Sequence, residues 1–310
     1  MTIKIFGHQN PDTDTITSAI VLAELERQLG NDAKAYRLGE MNKETEYALN
    51  YFNIEAPKLL EEVTAEDSVM LVDHNEFQQS ARGIEKATVL AVIDHHRVAN
   101  FETSAPLYFR SEPVGCTATV LYKIFRENEL KITKELAGLM LSAIVSDTLL
   151  LKSPTTTDQD EKTLHELSEI ADVNLEMYGL DLLKAGASTK EKTAEELIDG
   201  DAKTFEMGER NVRIAQVNVV DVDELFERKE ELVKAINTEI EAQNYDLFIL
   251  VITNILESDS KIIALGEHHG LIEKAFDVSL ENDTALLPGV VSRKKQVVPN
   301  IEKAFQSLYK

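Results

Sequence analysis

Cysteine and tryptophan are nearly missing from the 310-residue chain, which has one cysteine, Cys116, and no tryptophan. A single cysteine excludes an intramolecular disulfide and a cage of thiolates around a metal ion. Positive charge is also scarce, because 32 Lys and Arg stand against 55 Asp and Glu, which gives a net charge of -23. This balance argues against extended binding to nucleic acid, and the lack of tryptophan argues against stacking platforms for single strands.

Long hydrophobic runs are absent as well. The sequence has no stretch of about 18 apolar residues, which a typical membrane-spanning helix needs. The apolar stretch at the N-terminus becomes polar too soon for a secretory leader. Together with the single cysteine, these features predict a soluble protein of the reducing cytoplasm, with neither a membrane nor a nucleic acid as partner.

The residues that are present form patterns typical of a folded α/β protein, with 43% apolar and 28% charged residues. In the first half, short apolar runs alternate with longer helical patterns, which predicts a parallel sheet flanked by helices. The predicted strands are residues 2–6, 33–38, 68–72 and 88–93, and the predicted helices are residues 16–29, 43–52, 116–129, 134–146, 158–170 and 175–185.

A charged stretch, residues 188–196, lacks large apolar side chains and predicts a domain boundary. We place a linker at residues 189–195, between an N-terminal domain of residues 1–188 and a C-terminal domain of residues 196–310. The second domain is predicted to be a smaller α/β domain with a mixed sheet. Its predicted strands are residues 202–207, 212–219, 246–253 and 261–265, with a long helix at residues 221–243 and a last helix near Pro299.

Acidic residues and histidines follow three predicted strands of the first domain. His8, Asp12 and Asp14 follow the first strand, Asp73 and His74 follow the third, and Asp94, His95 and His96 accompany the end of the fourth. In a parallel sheet these ends lie side by side, at the edge where ligands bind. Crowded acids repel one another and are costly to bury unless a cation neutralises them. The pattern therefore predicts a site for a polyvalent metal ion.

Asp147 adds a further acid at the C-terminal end of an apolar helical pattern, where the helix already carries partial negative charge. Carboxylates and imidazoles without thiolates favour Mn, Co or Fe, and one Asp can bridge two ions about 3.5–4 Å apart. Taken singly, the same residues have structural interpretations. Asp14 or Thr15 could cap the first helix, and Asp12 could belong to the turn after Pro11.

Four segments carry a resemblance to a known family. They are residues 8–14 (His-Gln-Asn-Pro-Asp-Thr-Asp), 72–75 (Val-Asp-His-Asn), 94–96 (Asp-His-His) and 292–296 (Ser-Arg-Lys-Lys-Gln). The first three resemble the successive motifs of the DHH phosphoesterase superfamily. Together with the fourth, which resembles a substrate-binding signature, they are most similar to the family II, manganese-dependent inorganic pyrophosphatases. The resemblance extends over essentially the whole chain.

The resemblance implies two metal sites that share Asp73. One set would be His8, Asp12 and Asp73, and the other would be Asp14, Asp73, His95 and Asp147. It also implies that four residues contact the substrate: His96, Lys203, Arg293 and Lys294. Asp94 is expected to hold a ligating imidazole by a hydrogen bond. His74, Lys295, His268 and His269 receive no role.

The resemblance further implies the hydrolysis of inorganic diphosphate to two phosphates by a metal-bridged hydroxide, at an active site between the two domains. Two Mn²⁺ or Co²⁺ ions per subunit, Mg²⁺ arriving with the substrate, and a homodimer are implied as well. Two alternatives remain open at this point. One is an oligonucleotide phosphodiesterase or exopolyphosphatase of the same superfamily, and the other is a non-catalytic, metal-dependent phosphate sensor. The compact Arg-Lys-Lys triplet at residues 293–295 favours a small inorganic polyanion.

Overall fold

The computed structural model describes residues 2–307, which divide into a first unit ending at Gly186 and a second unit beginning at Ala187. The strands of the first unit are β1 (Ile3–Phe6), β2 (Ala33–Arg37), β3 (Lys58–Leu59), β4 (Ser68–Val72), β5 (Thr88–Asp94) and β6 (Tyr108–Ser111). They form one sheet in the order β3-β2-β1-β4-β5-β6, in which all neighbours are parallel. The predicted parallel sheet is confirmed. The sequence missed β3 and β6 because these short strands are largely exposed and lack a buried apolar run.

The helices of the first unit are α1 (Thr13–Gln28), α2 (Lys43–Tyr51), α3 (Thr117–Glu127), α4 (Lys134–Thr148), α5 (Asp158–Ala171) and α6 (Leu175–Gly186). Helix α1 packs on β1, β2 and β4, and α3 packs on β5. Helix α4 contacts α1, α3 and α5 and is buried along most of its length because it is apolar on nearly every side. A Cβ atom at Gly138 of α4 would lie 2.2 Å from the ring of Phe52, so only glycine allows this packing.

Helix α1 begins earlier than its apolar periodicity predicts. Asp12 is the N-cap residue, and its Oδ1 atom accepts a hydrogen bond from the backbone N–H of Thr15 at 3.0 Å. The expectation that Asp14 or Thr15 caps this helix is therefore wrong, because both residues lie buried inside its first turn. The other oxygen of Asp12, Oδ2, lies 3.6 Å from Nε2 of His8, which follows β1. The side chain of Asp12 therefore contacts both the start of α1 and the histidine after β1.

The second unit contains strands β7 (Ala202–Met207), β8 (Arg210–Val219), β9 (Leu247–Asn254), β10 (Asp259–Gly266) and β11 (Thr284–Leu287). They form one sheet in the order β11-β10-β9-β8-β7, in which β8 and β9 are parallel and the other neighbours are antiparallel. The predicted mixed sheet is confirmed. Strand β9 is buried on both faces because alternate residues join different cores: Ile249 packs in a cluster with Phe305, and Leu250 packs in a cluster with Ile236.

The helices of the second unit are α7 (Ala194–Asp199), α8 (Val222–Phe226), α9 (Lys229–Gln243), α10 (Leu271–Phe276) and α11 (Val298–Gln306). The single helix predicted at residues 221–243 is wrong, because Arg228, between α8 and α9, has non-helical backbone angles. Helix α7 begins within the segment predicted as a linker, residues 189–195, where Thr193 and Glu196 form a capping box. Among residues 2–307, no helix is long and apolar enough to cross a membrane.

Candidate metal centre

The polar segments after β1, β4 and β5 meet at the carboxyl edge of the first sheet. The strand register explains this, because Phe6 of β1 lies opposite Leu71 of β4, and Leu71 lies opposite Val92 of β5. The three strands therefore end together. The residues that follow them are His8 and Asp12, then Asp73, and then His95 and His96.

Asp73 occupies the centre of this edge in an unusual backbone conformation. Its φ angle is 57°, in the left-handed region, and its side chain is 2% exposed. Its backbone N–H donates to the carbonyl of Ile93 at 3.0 Å, which extends the pairing of β4 and β5 by one step. Non-glycine residues keep such a conformation where the surrounding structure holds it, and this is most common at functional sites.

The two carboxylate oxygens of Asp73 face two different sets of residues. Oδ2 lies 3.4 Å from Nε2 of His8 and accepts a hydrogen bond from the hydroxyl of Thr15 at 2.6 Å. Oδ1 lies 3.3 Å from Nε2 of His95 and accepts from the hydroxyl of Thr117 at 3.1 Å. A carboxylate with an imidazole at each oxygen is suited to bridge two metal ions.

Side chains around Asp73 form three groups whose potential ligand atoms lie within 4.8 Å of one another. The groups are His8, Asp12 and Asp73; Asp73, His95 and His96; and Asp14, Cys116 and Asp147. Asp73 belongs to two groups, and Nε2 of His95 lies 3.9 Å from Oδ2 of Asp147 in the third. The structure therefore brings together the six residues that the sequence predicts as metal ligands.

The acids on the α1 and α4 side of the cluster fit a divalent cation. Oδ2 of Asp147 is buried and has no hydrogen-bond partner among the described residues. Burial, together with the charge of Asp73, raises the pKa of Asp14 to about 7. Burial also raises the pKa of Asp147, and the charges of Asp14 and Asp73 raise it further. A bound cation would neutralise this repulsion and satisfy the orphaned oxygen, and a donor set of carboxylates and imidazoles suits Mn²⁺.

The two histidines nearest Asp73 turn their Nε2 atoms toward it. Burial lowers the pKa of His8, but Asp12 and Asp73 raise it more, to about 11. Burial likewise lowers the pKa of His95, and Asp73 and Asp14 raise it to about 9. The Nδ1 atom of His95 donates to the carbonyl of Val114 at 3.0 Å, which leaves Nε2 as the atom for a ligand. The cluster thus holds excess negative charge that protons or a metal can balance.

The carboxylate of Asp94 contacts the ring of His96 and not the ring of a predicted ligand. Its Oδ1 accepts hydrogen bonds from Nδ1 of His96 at 3.0 Å and from the backbone N–H groups of His95 and His96, and its Oδ2 accepts from Asn75 at 2.7 Å. The hydrogen bond to Asp94 raises the pKa of His96. The expectation that Asp94 holds a ligating imidazole needs correction, because the ring of His95 is held by a backbone carbonyl instead. His96 is about half exposed.

Sequence reasoning missed two kinds of neighbour in this centre. Cys116 is not among the site residues that the sequence predicts, yet it lies in one group with Asp14 and Asp147. Burial raises the pKa of its thiol, and the charges of Asp14 and Asp147 raise it further. The hydroxyls of Thr15 and Thr117, which hold Asp73, were also missed, because hydroxyl residues in a helix carry no distinctive sequence signal.

His74, which received no role from the sequence, belongs to no group of potential ligands in the described part of the chain. Its Nδ1 lies 2.8 Å from the carbonyl of Val72, and its Nε2 lies 3.0 Å from the hydroxyl of Ser80. Burial lowers the pKa of His74 to about 4, so the ring is neutral. It therefore joins the end of β4 to the following loop.

The basic residues predicted to contact the substrate lie in the second unit. Arg293 begins a short π-helical turn, and its Nη2 atom lies 2.7 Å from Oδ1 of Asp201. Its backbone N–H donates to the side chain of Gln216 at 3.0 Å. Lys203 on β7 and Lys294 are exposed, and so is Lys295. Arg293 is thus held in place by its own unit, whereas the three lysines present their charges to solvent.

A smaller acid and histidine group lies in the second unit, where Asp246, Glu267 and His268 place potential ligand atoms within 4.8 Å. The sequence predicts no cluster at His268, because Glu267 is a single acid beside it and Asp246 lies far away along the chain, directly before β9. Asp246 already accepts hydrogen bonds from Nη1 of Arg210 at 2.8 Å and from the backbone N–H of Asn211 at 2.7 Å. Its negative charge is therefore neutralised within the protein.

Comparisons with known proteins find relatives over nearly the whole chain. The DHH family, N-terminal domain, matches residues 2–144, and the DHHA2 domain matches residues 180–304. The manganese-dependent inorganic pyrophosphatase of Bacillus subtilis is 59% identical over 303 residues, which cover 97% of this chain and 98% of that protein. The probable manganese-dependent inorganic pyrophosphatase of Enterococcus faecalis is 57% identical, with 98% and 99% covered.

A solved structure also resembles the whole chain. The putative family II inorganic pyrophosphatase of Methanococcus jannaschii shares 39% sequence identity, covers 99% of this chain and 100% of its own, and gives a TM-score of 0.63. The agreement extends to both units, because the alignment leaves almost no residue of either chain unmatched.

Proposed function

Because the chain belongs to the family of manganese-dependent inorganic pyrophosphatases, we propose that it hydrolyses inorganic diphosphate at the cluster around Asp73. The observation that carries this assignment is the division of the Asp73 carboxylate, which offers one oxygen to His8 and the other to His95. Two cations can then be held side by side by one carboxylate. This is the arrangement that in-line phosphoryl displacement uses.

The proposed ligands follow the groups of the centre. The first site consists of His8, Asp12 and Asp73, and the second consists of Asp14, Asp73, His95 and Asp147. When bound, a pair of divalent cations lowers the pKa of a water molecule and polarises the phosphoryl oxygens. Thr15 and Thr117 contribute by holding the two oxygens of Asp73 in position.

His96 is proposed to contact the substrate. Asp94 engages its Nδ1 atom, so Nε2 remains to donate a hydrogen bond to a phosphate oxygen. Its half-exposed ring allows a ligand to approach, unlike the buried Asp94 beside it. The backbone N–H contacts of Asp94 hold this pair in one geometry.

Three cations of the second unit are proposed to bind phosphate during turnover: Lys203, Arg293 and Lys294. A guanidinium offers a planar fork to phosphate oxygens, and an ammonium offers a point charge. We retain the division into a metal-binding domain at residues 1–188, a linker at residues 189–195 and a substrate-binding domain at residues 196–310 as part of this proposal.

We further propose a cytoplasmic homodimer with two Mn²⁺ or Co²⁺ ions per subunit. Mg²⁺ is proposed to accompany diphosphate, because a polyanion entering a protein with a net charge of -23 must bring positive charge with it.

The test is phosphate release from diphosphate in the presence of Mn²⁺, measured beside dinucleotides and long-chain polyphosphate at equal phosphate concentration. We expect diphosphate to be turned over fastest. Faster cleavage of dinucleotides or polyphosphate would assign a different substrate to the same centre. Binding of phosphate with no turnover of any substrate would assign a sensor instead of an enzyme.

A further inference from the structure

A buried carboxylate outside the proposed ligand set, that of Asp160, connects helix α5 to the loop that enters α3. Its side chain is fully buried. Oδ2 accepts hydrogen bonds from the backbone N–H and the hydroxyl of Thr157, at 2.8 and 2.6 Å. The first of these bonds and the one from the backbone N–H of Asp160 to the Thr157 hydroxyl, at 3.4 Å, form the capping box of α5. Oδ2 also accepts from the backbone N–H of Gly115 at 2.8 Å, and Oδ1 accepts from the hydroxyl of Thr119 at 2.6 Å.

The contacts with Gly115 and Thr119 exceed what a helix cap requires. The capping box of α7 provides a comparison, because Glu196 there accepts a hydrogen bond from the backbone N–H of Thr193 at an exposed position. Asp160 makes the corresponding contact and in addition reaches residues 45 and 41 positions earlier in the chain. A helix cap alone explains neither of these long-range bonds.

The segment that Asp160 holds comprises the loop residues 114–116 and Thr117 at the start of α3, and it touches three of the proposed metal ligands. The carbonyl of Val114 accepts the hydrogen bond from Nδ1 of His95 at 3.0 Å. The backbone N–H of Thr117 donates to Oδ2 of Asp14 at 2.7 Å, and the hydroxyl of Thr117 donates to Oδ1 of Asp73 at 3.1 Å. The position of this one loop therefore sets the orientation of ligands in both proposed metal sites.

The fit between Asp160 and the loop is close. A Cβ atom at Gly115 would lie 2.8 Å from Oδ2 of Asp160 and 3.0 Å from the methyl group of Thr148, the residue after Asp147. The loop is therefore confined between Asp160 and Thr148 on one side and the proposed ligands on the other. A buried backbone N–H that loses its acceptor is costly, so the loop would shift if Asp160 were truncated.

We propose that Asp160 is a positioning residue of the metal centre. By fixing residues 114–117, it holds His95, Asp14 and Asp73 in the orientation that two cations require. Asp160 itself belongs to none of the groups of potential metal ligands in the described part of the chain. The inference rests on the proposed function, since it presupposes that the cluster around Asp73 binds the catalytic ions.

The experiment compares Asp160→Ala with Asp160→Asn by calorimetric titration of the metal-stripped proteins with Mn²⁺. Removing groups that orient ligands typically lowers metal affinity about 10- to 100-fold, and we expect a loss in this range for Asp160→Ala. Asp160→Asn should restore most of the affinity. Its amide oxygen can accept from Gly115 and Thr157, and its amide nitrogen can donate to Thr119.

A control variant separates positioning from general destabilisation. Leu167→Ala removes a fully buried side chain from the same helix, seven residues after Asp160. We expect it to lower the melting temperature while Mn²⁺ affinity stays near that of the wild type. If Asp160→Ala keeps wild-type affinity, or loses no more than Leu167→Ala at a comparable melting temperature, the positioning role is wrong.

Gly115→Ala provides a second, independent variant that keeps Asp160 and adds a methyl group at the contact. This variant should also bind Mn²⁺ more weakly. Its titration replaces that of Asp160→Ala if Asp160→Ala fails to fold. Unchanged affinity in Gly115→Ala would then overturn the inference. A wild-type protein that neither binds Mn²⁺ nor hydrolyses diphosphate would overturn the proposed function, whereas an active wild type with unaffected variants would overturn this inference alone.

Discussion

Each unit contains a cluster of carboxylates with a histidine, but the two clusters balance their charge in different ways. In the second unit, Asp246 is paired with Arg210 and accepts from the backbone N–H of Asn211. In the first unit, the partners of Asp73 are hydroxyls and imidazoles, and Oδ2 of Asp147 has no hydrogen-bond partner in the described part of the chain. The first cluster therefore lacks the fixed cation that the second one has.

The negative charge of the second cluster is balanced by groups of the protein, whereas that of the first cluster needs an ion. Arg210 and Asn211 hold the pKa of Asp246 below its usual value against the opposing effect of burial. Burial and neighbouring acids hold the pKa values of Asp14 and Asp147 above the usual range. In the second cluster, the buried atom without a hydrogen-bond partner among the described residues is Nε2 of His268, whose ring packs against Phe305. This atom is a ring nitrogen and not a carboxylate oxygen. Proximity of ligand atoms alone is therefore a weaker indication of a metal site than uncompensated charge.

The largest expected effect is that of Asp73→Ala, because this residue contributes an oxygen to each proposed site. We expect loss of both ions by elemental analysis and a drop in diphosphate turnover of at least about 10³-fold. Asp246→Ala is the matched control from the second cluster, and it should keep metal content and turnover. Two tightly held ions in Asp73→Ala would contradict the bridging role.

Arg293→Ala should affect the substrate and leave the metals in place. We expect a loss of about 10²-fold in kcat/KM, because a charged donor to the phosphoryl group is removed. The metal content should equal that of the wild type, which distinguishes a cation of the second unit from the ligands of the first. Loss of bound metal in this variant would contradict the proposal that Arg293 binds the substrate and not the metal ions.

Asp147→Asn should have opposite effects on the loaded and the metal-stripped protein. It removes one ligand charge, so Mn²⁺ binding should weaken. It also removes repulsion from Asp14 and Asp73, so the stripped variant should melt a few degrees above the stripped wild type, since 1 kcal/mol corresponds to about 2–4 °C for a unit of this size. A stripped variant that melts lower than the stripped wild type would argue against uncompensated charge in the first cluster.

The smallest expected effect concerns the pH dependence of the second cluster. Because the pKa of Asp246 is lower in the folded protein than its usual value of 3.8, its carboxylate stabilises the fold at pH values above 3.8. We expect the difference in free energy of unfolding between the wild type and Asp246→Asn to be constant above about pH 5 and to shrink below about pH 4. Urea unfolding followed by circular dichroism measures this difference, and a gap that widened in acid would contradict the pairing.

The sequence predicts which residues come together at the sheet edge where a residue's position along a strand determines its place in space. His8, Asp73 and His95 follow parallel strands, and parallel strands end at a common edge. The periodicity of apolar residues also predicts the helices, although it places the start of α1 too late because the first turn carries the polar residues of the cluster. The short strands β3 and β6 were missed because they bury little apolar surface.

The contacts that support the centre could not be predicted in this way. Asp160 reaches Gly115 across 45 residues, and Thr117 reaches Asp14 across 103. Nothing in the local pattern of an aspartate at the start of a helix distinguishes this role from an ordinary capping box, such as that of Glu196. The same holds for Asp94, whose partner among the neighbouring histidines depends on how the chain turns after β5.

The sequence alone determined that acids and imidazoles lie at one edge of a parallel sheet. The alternation of strands and helices along the chain sets where the strands end. The tertiary structure alone decided which oxygen of Asp73 faces which imidazole, which acid lacks a partner, and which carboxylate meets an arginine. These outcomes depend on distances of 2.8–3.9 Å between segments far apart in sequence, and such distances are set by packing rather than by local preference.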